Sequence, residues 1–297
     1  MDIFLIQLLN AVQYGLLLFL VASGLTLIFG IMGVINLAHG SFYMIGAYLA
    51  WSLAQHLGSF WLAIPAGLAL SVALGFVLEW LFIKRLYQRD HLYQVLLTYG
   101  LILIFEELRS ILWGDDVHGV AVPALLAGSI PLTDTLSYPV YRLWISAVCV
   151  ALAVGLYLLI QRTRLGMMIR AGAANREMTQ SLGINIGWLY RWVFALGVAM
   201  AAFAGMIAAP VSSVFPGMGN QVLIVCFVVV VIGGIGSVKG ALVGALLIGL
   251  ADTFGKVVEL EIAGIRVLPE LAGMSIYLLM AAVLLWRPEG IFGRRLA

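Results

Sequence analysis

The residues that could do chemistry in this chain are few and far apart. Its four histidines, His39, His56, His91 and His118, fall in different segments and share no metal-ligand spacing. Cys149 and Cys226 lie inside apolar runs, which suits packing better than a thiolate or a disulfide. The nearest approach to a phosphate loop, Thr253-Phe254-Gly255-Lys256-Val257, lacks the hydroxyl residue after Lys and sits in apolar sequence. No HExxH, CxxC or GxSxG string occurs. The expectation is a chain with no catalytic residue, metal or cofactor of its own.

Two polar groupings remain. Asn36, His39 and Ser41 stand among Gly30, Gly33 and Gly40. Glycines at this density break a helix, and Ser41 is a fair N-cap for the one that follows. A half-helix N-terminus inside a bilayer offers free N–H groups that suit a substrate carboxylate. The simpler account is that Asn36 and His39 only satisfy freed backbone groups. The second grouping, Arg176-Glu177-Met178-Thr179-Gln180-Ser181-Leu182-Gly183-Ile184, reads as a short helix stopped by Gly183. Such a helix on a membrane face can press into a partner's groove, or it can be a plain loop.

Acidic residues near apolar runs are Glu79, Glu106, Glu107, Asp252 and Glu270. Each needs a partner or a cavity, because a carboxylate costs several kcal/mol in hydrocarbon. Glu79 lies near Lys84 and Arg85, which suggests a structural role. Glu106 can pair with Arg109 at helical spacing. Asp252 falls near a helix end, where solvation suffices. Tyr43, Thr98, Tyr99 and Glu106, with Asn36, His39 and Ser41, are the candidate liners of a path for a small polar solute.

The elements that must position these residues follow from composition. The chain has 297 residues, of which 63% are hydrophobic and 10% charged, with a net charge of +2. A soluble domain of this size could not hide so much apolar surface. Disordered, fibrous and nucleic-acid-binding classes are excluded, and an all-α polytopic transmembrane bundle of about eight or nine spans is predicted. Apolar runs lie near 4–29, 41–57, 60–83, 94–113, 141–161, 188–209, 220–235, 240–255 and 269–286. The first reads as a retained span, since Asp2 is the only early charge. Gly240 and Gly244 form a GxxxG step, read as packing within the chain. A faint echo relates Gly30-Ile31-Met32-Gly33 before Gly40 to Gly233-Gly234-Ile235-Gly236 before Gly240.

Polar stretches at 84–93 and 162–187, and the tail from Arg287, hold most cations. With the N-terminus outside and the C-terminus inside, only Arg109, Arg142, Lys256 and Arg266 of the sixteen cations fall on the outer side. The positive-inside rule favours that orientation. Residues 114–140 then form a turn-rich outer loop.

Three strings bring a resemblance. GLTLIFGIMGVINLAHGSFYMIGAYLA (24–50), RAGAANREMTQSLGINIGWLYRWVFALGVAMAAFAGMIAAP (170–210) and VVVVIGGIGSVKGALVGALLIGLAD (228–252) resemble, in the same order, markers of the branched-chain amino acid permeases of ATP-binding-cassette importers. The tail LLWRPEGIFGRR fits as well. The resemblance covers nearly the whole chain, which then forms one permease domain (1–297). It implies that 162–187 carries a coupling loop, with Glu177 and Gly183 at the spacing of the importers' Glu-Ala-Ala motif and its Gly. Met178 and Thr179 replace the two alanines, and no Leu-Pro pair follows. By this resemblance Arg176, Glu177, Ser181, Leu182 and Gly183 contact an ATPase. The implied partners are a second permease, identical or homologous, two ATPase subunits that bind ATP and Mg2+, and a solute-binding protein. The implied residence is the bacterial cytoplasmic membrane, and the implied cargo an apolar amino acid. Urea, a short amide or another small organic acid is the alternative within the family. A self-contained ion-coupled transporter working through Glu106 or Glu107 is the alternative outside it.

Overall fold

Every apolar run of the sequence becomes a helix. The computed structural model describes residues 2–87, 89–133, 136–257, 261–262, 265–266 and 273–293. Its helices are α1 (Asp2–Met32), α2 (His39–Leu57), α3 (Phe60–Leu81), α4 (His91–Trp113), α5 (Val140–Arg162), α6 (Arg164–Ala174), α7 (Arg176–Ser181), α8 (Ile186–Ser212), α9 (Met218–Gly233), α10 (Val238–Val257) and α11 (Ser275–Trp286). Single 3-10 turns form at Ile83–Leu86 and Ala124–Leu126. Among the described residues, strands are confined to two small hairpins. In one, β1 (Ser129–Thr133) pairs antiparallel with β2 (Leu136–Pro139), setting Ile130 opposite Tyr138. In the other, β3 (Glu261–Ile262) pairs with β4 (Ile265–Arg266). Glu270 lies outside the described residues.

Five helices, α1, α3, α5, α8 and α10, are long and apolar enough to cross a membrane. They divide by burial. The spanning stretch of α1 is 89% buried and that of α8 83%, whereas α5 is only 17% buried. A helix that is apolar all round belongs in the centre or against lipid, and here α1 and α8 take the centre. The bare apolar faces of α3, α4 and α5 account for the composition, since lipid tolerates surface that water would not.

The central helices approach backbone to backbone. A Cβ on Gly46 of α2 would overlap the Ala202 carbonyl of α8, and one on Gly40 the Gly219 carbonyl of α9. Small residues replace the hydrophobic effect as the means of association where the solvent is itself apolar. The GxxxG step acts the same way inside the chain, setting Gly240 and Gly244 of α10 against Gly233 and Val229 of α9. The two Gly-interrupted segments of the echo meet in space, Gly30 packing on the Cα of Gly236.

The helix break at 33–38 lies inside the bundle. His39 Nε2 donates to the Val21 carbonyl at 2.9 Å, so α2 starts level with the middle of α1. From Met32 back to that level is roughly 16 Å at 1.5 Å per residue. Residues 33–38 make that return as irregular backbone that closes a turn at 36–39 just before α2.

The bundle has two faces. At the amino-terminal face lie the start of α1, the ends of α2, α4, α8 and α10, and residues 114–133 and 136–139, where His118 pairs with Val214 and stacks on Trp51. At the opposite face lie residues 82–87 and 89–90, α6, α7 and the tail 287–293, anchored where the amide of Phe292 donates to the Gly233 carbonyl at 3.0 Å. The described parts of all three basic stretches therefore share one face.

Glu79 is fully buried near that face. Its partner is neither Lys84 nor Arg85 but Arg191 of α8, whose Nε donates to Oε2 at 2.8 Å. The Tyr87 hydroxyl donates to the other oxygen. The structural role expected of Glu79 is met by a residue far off in sequence, because α3 and α8 run side by side. Arg191→Ala strands this carboxylate and should destabilise the detergent-solubilised protein by about 3 kcal/mol. The double variant Arg191→Ala with Glu79→Gln should recover at least half of the lost melting temperature. A double variant no more stable than the single one would count against the pair.

Candidate functional site

The opposite face carries the most exposed ordered polar segment. Three caps shape it. The side chains of Thr163, Asn175 and Asn185 accept from the amides of Gly166, Met178 and Trp188, starting α6, α7 and α8 respectively. Each is a short polar residue whose oxygen satisfies an orphan amide. The turn after α7 is closed by Gly183, whose φ of +83° is a left-handed geometry that disfavours a side chain. The expected short helix ending at this glycine is present. The separate helix α6 was not anticipated, although Thr163 ahead of a helix-forming run was its signal.

The five residues expected to couple have two different settings. Arg176 turns inward, its guanidinium 5.7 Å from the Tyr87 ring centre and 5.3 Å from that of Tyr190. It holds the segment to the bundle. Burial and the hydrogen bond to Glu79 push the Tyr87 hydroxyl well above its ordinary pKa. Thr179 is buried beneath the helix. Glu177, Ser181, Leu182 and Gly183 are exposed, and the Ser181 hydroxyl donates back to the Glu177 carbonyl at 3.0 Å. Met178 and Leu182 are the prominent apolar residues, 63% and 74% exposed. Beside them Tyr87, Arg176, Gln180 and Ile184 border a groove of about 370 Å³. The arrangement is a rigidly anchored, outward-facing apolar knob with one carboxylate.

The second grouping surrounds the break at 33–38. Asn36 and His39 are fully buried. Asn36 Oδ1 accepts from the Ala38 amide at 3.1 Å, while the Asn36 carbonyl accepts from the His39 amide at 3.4 Å. Because a carbonyl only accepts, His39 Nε2 must carry the proton in its bond to Val21. Gln94 of α4, which sequence reasoning missed, completes the set. Its Oε1 accepts from the Ile35 amide at 3.3 Å and its Nε2 donates to the Leu86 carbonyl at 3.3 Å. A glutamine inside an apolar run was the available signal.

Ser41 requires a correction. It is not the N-cap of α2, which begins two residues earlier at His39 with Ala38 before it. Asn36 Oδ1 binds the amide of Ala38, the residue at the cap position, and no side chain caps α2. The other path candidates separate. Thr98 is buried, but its hydroxyl is turned onto its own helix, donating to the Gln94 carbonyl at 2.8 Å. Tyr99 is 52% exposed on the outer side of α4, away from the break. Tyr43 is buried one turn above His39, toward a cavity at the amino-terminal face.

Glu106 and Asp252 both have cationic partners. Glu106 lies 3.7 Å from Arg109, which binds Asp115 more closely at 2.7 Å. Hydrogen bonds from Arg109 and Ser110 hold the Asp115 carboxyl below the usual carboxylate range. Glu107 is exposed on the outer side of α4. Asp252 is not simply solvated, since it is buried and paired with Lys256 at 2.6 Å. Neither Glu106 nor Glu107 is an unpaired carboxylate inside the bundle, as an ion-coupled mechanism through them requires. Among the described residues no group of three or more His, Cys, Asp or Glu could hold a metal ion.

Residues 7–284 match the family model described as branched-chain amino acid transport system / permease component. The chain is 32% identical to the high-affinity branched-chain amino acid transport system permease protein BraD of Pseudomonas aeruginosa, covering 98% of this chain and 96% of that one. It is 29% identical to the corresponding protein LivH of Escherichia coli, with the same coverage. It is also 27% identical to LivM of the same organism, over 90% of this chain and 66% of that one. By the family match over residues 7–284 and the near full-length identity to BraD, the chain belongs to the branched-chain amino acid transport permease family, as a multi-pass, non-enzymatic membrane subunit.

Proposed function

We propose that this chain is the permease subunit of an ATP-driven importer of branched-chain amino acids in a bacterial cytoplasmic membrane, and that α7 with residues 182–184 docks on an ATPase subunit. The observation that carries the docking reading is the exposure of Met178 and Leu182 on a segment otherwise pinned by Arg176, Thr179 and three caps. A free loop has no reason to hold two large apolar side chains in solvent on so rigid a mount, whereas a hydrophobic groove gives both a place.

The basic stretches share the face of α7, which supports a cytoplasmic placement of that face and an external amino-terminus. ATP and Mg2+ would then bind in partner chains below it, and a solute-binding protein would deliver cargo to the amino-terminal face. LivH and LivM of Escherichia coli are both relatives of this chain. That favours a pair of homologous permeases over two copies of one.

Leu182→Glu and Gly183→Pro should each cut retention of the ATPase subunits on the purified transporter at least about tenfold, the scale of one lost buried anchor. Arg176→Ala should weaken retention less, because it acts through the mount. Copurification measures this, and undiminished retention in both direct variants would remove the docking assignment. Reconstituted with its partners, the wild-type chain should move leucine only with ATP present. Leucine movement by the chain alone, driven by an ion gradient, would overturn the importer reading.

A further inference from the structure

A cavity of about 490 Å³ lies at the amino-terminal face, and of the residues singled out as path liners only Tyr43 borders it. Its size is that of a small-molecule site. One wall is apolar, built from Leu17 of α1 with Ala208 and Val211 of α8. The remainder is polar and carries charge of both signs.

Arg142 of α5 supplies one cation. Its Nη1 donates to Asn10 Oδ1 at 2.7 Å, and Asn10 is steadied by a second donor, the Tyr138 hydroxyl, at 3.2 Å. No ion pair engages Arg142 among the described residues. Asp252 of α10 supplies the anion. It is only 7% exposed, and Lys256 donates to Oδ2 at 2.6 Å. Oδ1 remains as an acceptor for a second donor. Buried Gln13 adds a neutral acceptor.

These groups select by charge. A simple anion gains nothing from a buried carboxylate beside it. A simple cation meets two like charges. An uncharged sugar would have to leave desolvated ions poorly paired. A zwitterion with an aliphatic side chain uses every group. We propose that this cavity is a delivery-side binding site for an aliphatic α-amino acid. Arg142 takes the carboxylate, Asp252 the ammonium, and the wall of Leu17, Ala208 and Val211 the side chain. Lys256 neutralises Asp252 while the cavity is empty. The inference rests on the importer reading and adds where, within one subunit, cargo is first held.

The test uses the assembled transporter in proteoliposomes. Arg142→Gln and Asp252→Asn should each raise the KM for leucine about tenfold or more, the scale of a lost charge-assisted contact. Arg142→Lys should recover most of the Arg142→Gln loss. A second readout needs neither variant. With Ser212→Cys, which borders the cavity, leucine should slow modification by an impermeant thiol reagent. Leucinamide and 4-methylpentanoate, each lacking one charge, should not. Unchanged KM in both variants, absence of protection by leucine, or equal protection by 4-methylpentanoate would each overturn the site. A wild-type assembly that transports leucine while these results go against the cavity leaves the importer reading intact. A wild-type assembly that moves no leucine overturns the importer reading itself.

Discussion

The structure depends on one constraint. Six residues of irregular backbone lie inside an apolar bundle, and their polar groups have no water to turn to. Asn36, His39 and Gln94 answer it from three helices or their connections. Asn36 closes a turn on its own segment, His39 reaches back to the carbonyl of Val21, and Gln94 crosses from α4 to Ile35. Unmade, each such bond would cost about 1–3 kcal/mol. Together they let α2 begin at mid-depth and lie against α8 and α9 through Gly46 and Gly40. The close packing of the centre follows from the break, because a continuous α1–α2 hairpin would place these glycines at another level.

Much of this was legible in the sequence. Apolar runs locate spans well, because a bilayer demands length and apolarity of the segment itself and not of its neighbours. Gly30, Gly33 and Gly40 marked the break, and Gly183 marked the end of a short helix, since backbone geometry there is a local matter. What could not be read was pairing across helices. Glu79 stands five residues from Lys84, yet its partner is Arg191, more than a hundred positions away. Ser41 had the chemistry of a cap, but α2 starts two residues earlier, with Ala38 at the cap position. Tyr99 and Thr98 are neighbours in sequence and face opposite ways, which periodicity shows only once the buried side of α4 is known. Asp252 looked like an interfacial carboxylate until α10 brought it under cover beside α1.

The most exposed and the most buried features meet in a single element. Helix α8 starts at Asn185, directly after the outward knob of Met178 and Leu182, and its first turns carry Tyr190 against Arg176 and Arg191 against Glu79. It then runs 27 residues, roughly 40 Å at the helical rise, to Ala208, Val211 and Ser212 beside the polar cavity. Along its length it is packed too closely to bend freely, with Ala202 under Gly46 and Gly197 under Gly24. A displacement imposed at Asn185 therefore cannot be absorbed by side-chain rearrangement alone. It must slide or rotate the helix, and α2 is the element with least room to stay behind. Close backbone contact, which in a soluble protein would only stabilise a core, here also ties the face that carries α7 to the cavity wall. The weak point in that chain is the break at 33–38, where hydrogen bonds and not a continuous helix hold the start of α2 in place.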